Sequence, residues 1–259
     1  SGFLPGTLST GNSVIGVDTA RIRANSITGL SNGAYLIQGY YAGRFNVAGA
    51  GALAYGATGT RISGTLGSTV GAWDNNYGGL QSQVGITDLG QGYWLANITG
   101  GLGSNNWVPS LLWGGPTVAR SGLLQAGDVM TDVGSVMSLG NGSFVAAMPS
   151  LNNNTGAIGV VDASSATIPT FTSANALVGS NSGDSIGNGG FVSLSNGRFF
   201  ALSPSWGSDT GAVTLLSSAN ALTRLQGTLS ASNSFVGANA GDKVGANLYT
   251  NSMTATAIH

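Results

Sequence analysis

Cysteine is absent from the 259 residues, and so is glutamate. The first absence removes disulfide frameworks, thiolate metal sites and cysteine nucleophiles together. The second weighs against glycoside hydrolysis, which needs two carboxylates and usually includes glutamate as the acid. Histidine occurs once, as His259 at the end of the chain, so a serine triad has no internal base to use. Lysine also occurs once, as Lys243, and the other seven basic residues are arginine. Only 7% of residues are charged and the formal net charge is -1, which leaves no electrostatic footprint for nucleic acid or an anionic membrane surface. No stretch approaches the roughly 18 apolar residues of a membrane-spanning helix, so no membrane insertion is expected. The opening Ser-Gly-Phe-Leu-Pro lacks the basic-then-apolar pattern of a leader and reads as the start of either a mature or an excised chain.

The chemistry that remains is sparse. No Asp-x-Asp-x-Asp cluster occurs, and the closest acidic pair is Asp128 and Asp132, so no metal is expected. The run Gly187-Asn188-Gly189-Gly190 has no Gly-Lys-Ser/Thr and no helix pattern after it, so it is no phosphate loop. The expectation is a protein that is not an enzyme, with no catalytic residues and no cofactor.

Glycine, by contrast, is plentiful at 44 residues, and Ser, Thr, Asn and Ala fill most remaining small and polar positions. A chain of that kind folds only if it can bury apolar area, and here 42% of residues are hydrophobic and recur in short clusters. All nine acids are aspartate, a turn former, which favours strands joined by tight turns. One domain is expected from the uniform composition.

A repeat emerges when short turns are aligned. Leu194-Ser-Asn-Gly-Arg-Phe-Phe200 has relatives in Leu30-Ser-Asn-Gly-Ala-Tyr-Leu36, Leu89-Gly-Gln-Gly-Tyr-Trp-Leu95 and Leu139-Gly-Asn-Gly-Ser-Phe-Val145, with a weaker fifth at Tyr249–Met253. The turn positions 32, 91, 141, 196 and 251 are spaced by 59, 50, 55 and 55 residues. A second marker, Thr-Gly-Ala-Ile at 155–158 and Thr-Gly-Ala-Val at 210–213, starts a third strand. A third, Gly227-Thr-Leu-Ser followed by Asn233-Ser-Phe-Val-Gly237, supplies a fourth.

That last marker has a near copy in Gly6-Thr-Leu-Ser and Asn12-Ser-Val-Ile-Gly16, displaced by 221 residues, four periods of about 55. The chain thus starts late in one repeat and stops early in another. The reading is all-β, a five-bladed β-propeller whose composite blade draws on both termini and leaves no open edge. The units run 26–84, 85–134, 135–188 and 189–245, with 246–259 plus 1–25 as the composite. An open β-solenoid is the alternative.

Phe200-Ala-Leu-Ser-Pro204, a polar loop and then Gly211-Ala-Val213 resemble the blade signature of FG-GAP repeats. The whole unit, with Leu-Ser-Asn-Gly, Ser-Pro-Ser-Trp and Thr-Gly-Ala-Val, is similar to repeats of filamentous-haemagglutinin-type exoproteins and adhesins, closely over 135–245 and loosely over 26–134. The resemblance implies an extracellular or cell-surface repeat domain and names no ligand. The calcium of FG-GAP blades is not carried over, because the acidic cluster is missing.

Tyr35, Trp94, Phe144 and Phe199 stand at one place after the turn and read as core. Asp184 and Asp242 each follow a glycine and read as corner-holding hydrogen-bond acceptors. The site candidates are loop residues: Trp73, Asp74 and Tyr77 in Ala-Trp-Asp-Asn-Asn-Tyr, Trp107 after two asparagines, and Trp206 and Asp209 in Ser-Trp-Gly-Ser-Asp. An indole face beside polar groups suits a sugar ring. The expected partner is glycan or another host or cell-surface ligand, bound by an adhesion module. A structural repeat that spaces or assembles a surface fibre is the other reading.

Overall fold

In a computed structural model of the chain, the structure describes residues 13–15, 27–39, 52–65, 84–98, 110–118 and 126–246. Two compact units divide the chain: Ser1–Thr131 with Gly140–Ser143 and Asp162–Ile168, and Asp132–Leu139 with Phe144–Val161 and Pro169–His259.

The described residues are mostly strand, arranged in separate sheets of which none closes into a barrel. In the first unit β1 (Val14–Ile15) pairs with β5 (Gly64–Thr65), and β2 (Ile27–Gly29), β3 (Tyr35–Gly39) and β4 (Ala52–Gly56) form an antiparallel meander. Another antiparallel sheet holds β6 (Gly85–Gly90), β7 (Tyr93–Ile98), β8 (Ser110–Gly114) and β9 (Met130–Thr131). The second unit has a five-stranded sheet of β10 (Ser135–Ser138), β11 (Ser143–Met148), β12 (Ala157–Asp162), β13 (Ala176–Val178) and β17 (Gly227–Thr228). Its four-stranded sheet holds β14 (Gly190–Ser193), β15 (Arg198–Ser203), β16 (Ala212–Ser217) and β18 (Phe235–Val236).

The sequence turns join the first two strands of each meander. Gln91 and Gly92 have φ of 56° and 85°, and Asn196 and Gly197 have 59° and 66°. This left-handed backbone is cheap only for glycine and tolerable for asparagine-like side chains, and it reverses a twisted ribbon without splaying it.

One marker behaves differently from its expectation. The segment 227–237 was expected to supply a single fourth strand, yet it supplies two that enter different sheets. Gly227 and Thr228 pair in parallel with Leu177 and Val178 of the preceding repeat, whereas Phe235 and Val236 pair antiparallel with Val213 and Ala212 of their own. The same parallel joint recurs in the first unit, where Val14 and Ile15 pair with Gly64 and Thr65. In both joints the partners lie fifty residues apart, so the crossing is a property of the repeat.

Cores form between these sheets because alternate strand residues face opposite ways. In the first unit Leu30, Leu36, Leu53, Trp94, Ala96 and Leu112 share one cluster, with Tyr35 packed at its edge. In the second unit Val145, Ala147, Ile158 and Leu177 of one sheet meet Phe199, Ala201, Ala212 and Leu216 of the next. Trp94, Phe144 and Phe199 are all buried, as core residues at that repeat position should be. Burying each contributes about 1.5–3 kcal/mol.

Candidate functional site

The loop candidates divide sharply. Trp73, Asp74, Tyr77 and Trp107 lie outside the described residues. Trp206 and Asp209 are described, and the chain brings them together on one tight turn between β15 and β16.

That turn is unusual. Gly207, Ser208 and Asp209 follow one another at φ of 63°, 59° and 66°, a single turn of left-handed backbone. The previous repeat does the same at Asn152, Asn153 and Asn154, with φ of 50°, 56° and 61°. Left-handed backbone costs an L-residue about 1–2 kcal/mol, and glycine and asparagine bear it best. The polar loop read in the sequence therefore has a defined conformation, in which carbonyls turn outward to accept bonds from a neighbouring loop. Asn154 O accepts the N–H groups of Gly183 (3.0 Å) and Ser185 (2.8 Å), and Asp209 O accepts those of Gly241 (3.1 Å) and Lys243 (2.9 Å).

The aspartates hold these corners. Asp184 is 3% exposed, and its Oδ2 accepts the N–H groups of Ser180 and Asn181, both at 2.9 Å. Its Oδ1 accepts the N–H of Gly207 at 3.1 Å, tying the corner of one repeat to the left-handed turn of the next. Asp242 repeats the local half, accepting from Ala238 (2.9 Å) and Asn239 (2.8 Å). Asp209 meets Lys243 Nζ at 3.3 Å with both side chains about half exposed. Trp206 is half-buried and packs on the core between the sheets. Trp206 and Asp209 thus sit on a corner whose backbone is fixed, and the indole props the sheet.

Sequence reading missed a second feature, at the other end of the same sheet. A cleft of about 440 Å³ is lined by Arg198, Leu215, Ser217, Asn220, Arg224 and Phe235, among others. Arg198 begins β15 and pairs with Ser217 at the end of β16, and Arg224 closes the short helical turn Ala221–Arg224. The signal available in the sequence was the loop from Leu216 to Gly227, three residues longer than its counterpart from Val161 to Pro169.

The two repeats differ at this place in one more way. Ala157 pairs with Val178 and Ala212 with Val236, so Leu177 and Phe235 occupy equivalent positions. Leu177 is 0% exposed under the following sheet, whereas Phe235 is 67% exposed. Val192, Leu202 and Val213 form a small cluster on the same face, with Phe200 and Val244 at its edge.

No helix among the described residues is long and apolar enough to cross a membrane. No curated protein and no solved structure matches the chain. The two segments that share the corner geometry, residues 138–188 and 193–246, each match the family model of a repeat of unknown function (DUF5650).

Proposed function

We propose that this chain is a non-enzymatic recognition module of the extracellular space or cell surface, binding glycan through the loops at its sheet corners. The observation that carries the reading is the contrast between two repeats with one framework. Their left-handed turns match and their aspartate corners share the same two local N–H bonds, while the side chains they present differ: Leu151 in one stands where Trp206 stands in the other. A rigid frame with variable loop side chains is how binding surfaces are built on repeat folds. The sequence adds to this by holding no glutamate, no cysteine and one terminal histidine.

The architecture that goes with this function is the five-bladed propeller with a composite blade from both termini. Antiparallel meanders support it over a parallel solenoid. The exposed Phe235 favours the structural reading instead, since a repeat from another molecule would cover it as Leu177 is covered and build a fibre. Persistent monomers at high concentration in light scattering argue for the recognition module.

A glycan array probed with the wild-type chain, Trp73→Ala and Trp206→Ala tests the corner assignment. Binding lost in either variant, with its melting transition retained, supports it. Absent binding, or binding indifferent to both changes, sinks it.

A further inference from the structure

We infer that the cleft between β16 and the segment 220–235 is a site for an acidic saccharide, one whose carboxylate or sulfate sits between Arg198 and Arg224. This rests on the glycan-recognition reading above and names its ligand class and a second contact surface.

Charge is the first ground. The whole chain has eight basic residues, and two of its seven arginines line this one cleft. Among the described residues no carboxylate lines it and neither arginine forms an ion pair. Arg224 Nη2 donates a single bond to Asn233 O at 3.3 Å, which orients the guanidinium and leaves its other N–H groups open. The Arg198 guanidinium makes no hydrogen bond to a described residue. Two planar forks with unused donors are suited to a carboxylate or sulfate, which guanidinium binds bidentately.

Donors and an apolar face complete the site. Asn220 uses its Oδ1 to accept the Ser217 N–H at 2.8 Å, so the residue is pinned while its amide NH₂ has no described partner. The Phe235 ring and Leu215 supply an apolar wall, the complement to the face of a sugar ring. A bare anion needs no such wall, whereas an acidic sugar uses both.

The third ground is the comparison built into the chain. The preceding repeat has the same strands and corners, with Ser143 at the place of Arg198, a loop shorter by three residues without Arg224, and Leu177 sealed in the core at the place of Phe235. The insertion creates the cleft and brings an arginine to it. Nothing in the framework requires either arginine, because Arg198 and Arg224 are both exposed.

The test uses the full chain, titrated calorimetrically with sialyllactose, a polygalacturonate tetramer and a chondroitin sulfate tetrasaccharide, against lactose as neutral control. The expected result is at least one acidic probe binding about tenfold or more tighter than lactose, weakening as salt rises. Arg198→Ala lowers that affinity about tenfold, and Asn220→Asp, which places a negative charge in the cleft and keeps both arginines, lowers it at least as far. Arg198→Lys restores part of it, and Arg61→Ala, which removes an exposed cation that does not line the cleft, leaves the preference for acidic over neutral probes unchanged. The three arms separate a sialic carboxylate, a uronate and a sulfate as sources. Equal binding of lactose, or acidic binding untouched by Arg198→Ala and Asn220→Asp, overturns this site and leaves glycan recognition standing. Silence from all four probes, together with a blank glycan array, overturns both.

Discussion

Removing the Asp184 carboxylate should cost this protein several times what removing the equivalent Asp242 carboxylate costs. Both accept two backbone N–H groups from the loop before them, at 2.8–2.9 Å. The difference is environment: Asp184 is 3% exposed and also receives the Gly207 N–H of the next repeat, whereas Asp242 is exposed. Hydrogen bonds to a charged group contribute about 1.5–3 kcal/mol each, and a buried donor left unpaired costs about 1–3 kcal/mol. Partial relaxation lets some of the three N–H groups find water, so Asp184→Ala is expected to destabilise by about 3–5 kcal/mol. At Asp242 water replaces the carboxylate directly, and the loss should be well under half of that. Urea denaturation followed by tryptophan fluorescence and circular dichroism measures both, provided the slope with denaturant stays unchanged. Equal losses at the two sites would overturn this expectation, because the extra cost at Asp184 lies in its burial and in the inter-repeat bond.

Other perturbations follow from the same geometry. Burial pushes the Asp88 carboxyl up, and the N–H groups of Gly90 (2.8 Å) and Ser31 (2.7 Å), with the Ser31 hydroxyl, more than reverse this and hold it below its ordinary value. Its ionised form therefore adds stability above about pH 4 that is lost as pH falls through the lowered value; the stability gap between wild type and Asp88→Asn should be flat near neutral pH and close in acid. Gly211 has φ of 80°, and a Cβ there would enter the backbone of Lys243 and Val244, so Gly211→Ala should cost more than about 3 kcal/mol by urea titration. Gly183 has φ of 93° with open space around it, and Gly183→Ala should cost only the strain of about 1–2 kcal/mol. The Ser135 hydroxyl is buried without a partner, so Ser135→Ala should leave the melting temperature unchanged or raise it.

Much of the local structure was legible because it depends on residue types. Asn196 and Gly197 take left-handed backbone, alternating apolar residues make strands, and Phe144 and Phe199 fall at one buried position. What could not be read was any feature decided by distant partners. The short segment Gly227–Thr228 has no preference of its own between two sheets, and only the register beside Leu177 and Val178 assigns it. Trp206 illustrates the same limit, since its neighbours in sequence are polar while its packing partners belong to the core between two sheets. The cleft was invisible for a related reason: Arg198 and Arg224 are 26 positions apart in sequence and share a cavity only because β15 and β16 fold back on each other.

The crossing of Gly227–Thr228 into the preceding sheet also bears on how such a chain is made. A ribosome that has released residues up to 190 has delivered every other strand of the five-stranded sheet, yet that sheet lacks its edge until residue 228 emerges. Each repeat is therefore finished by its successor, and folding advances like a row of stitches in which every loop is held by the next. A cut made at a sheet boundary leaves the sheet before it with a dropped stitch. Shortening, duplicating or transplanting these repeats calls for cuts that respect the overlap.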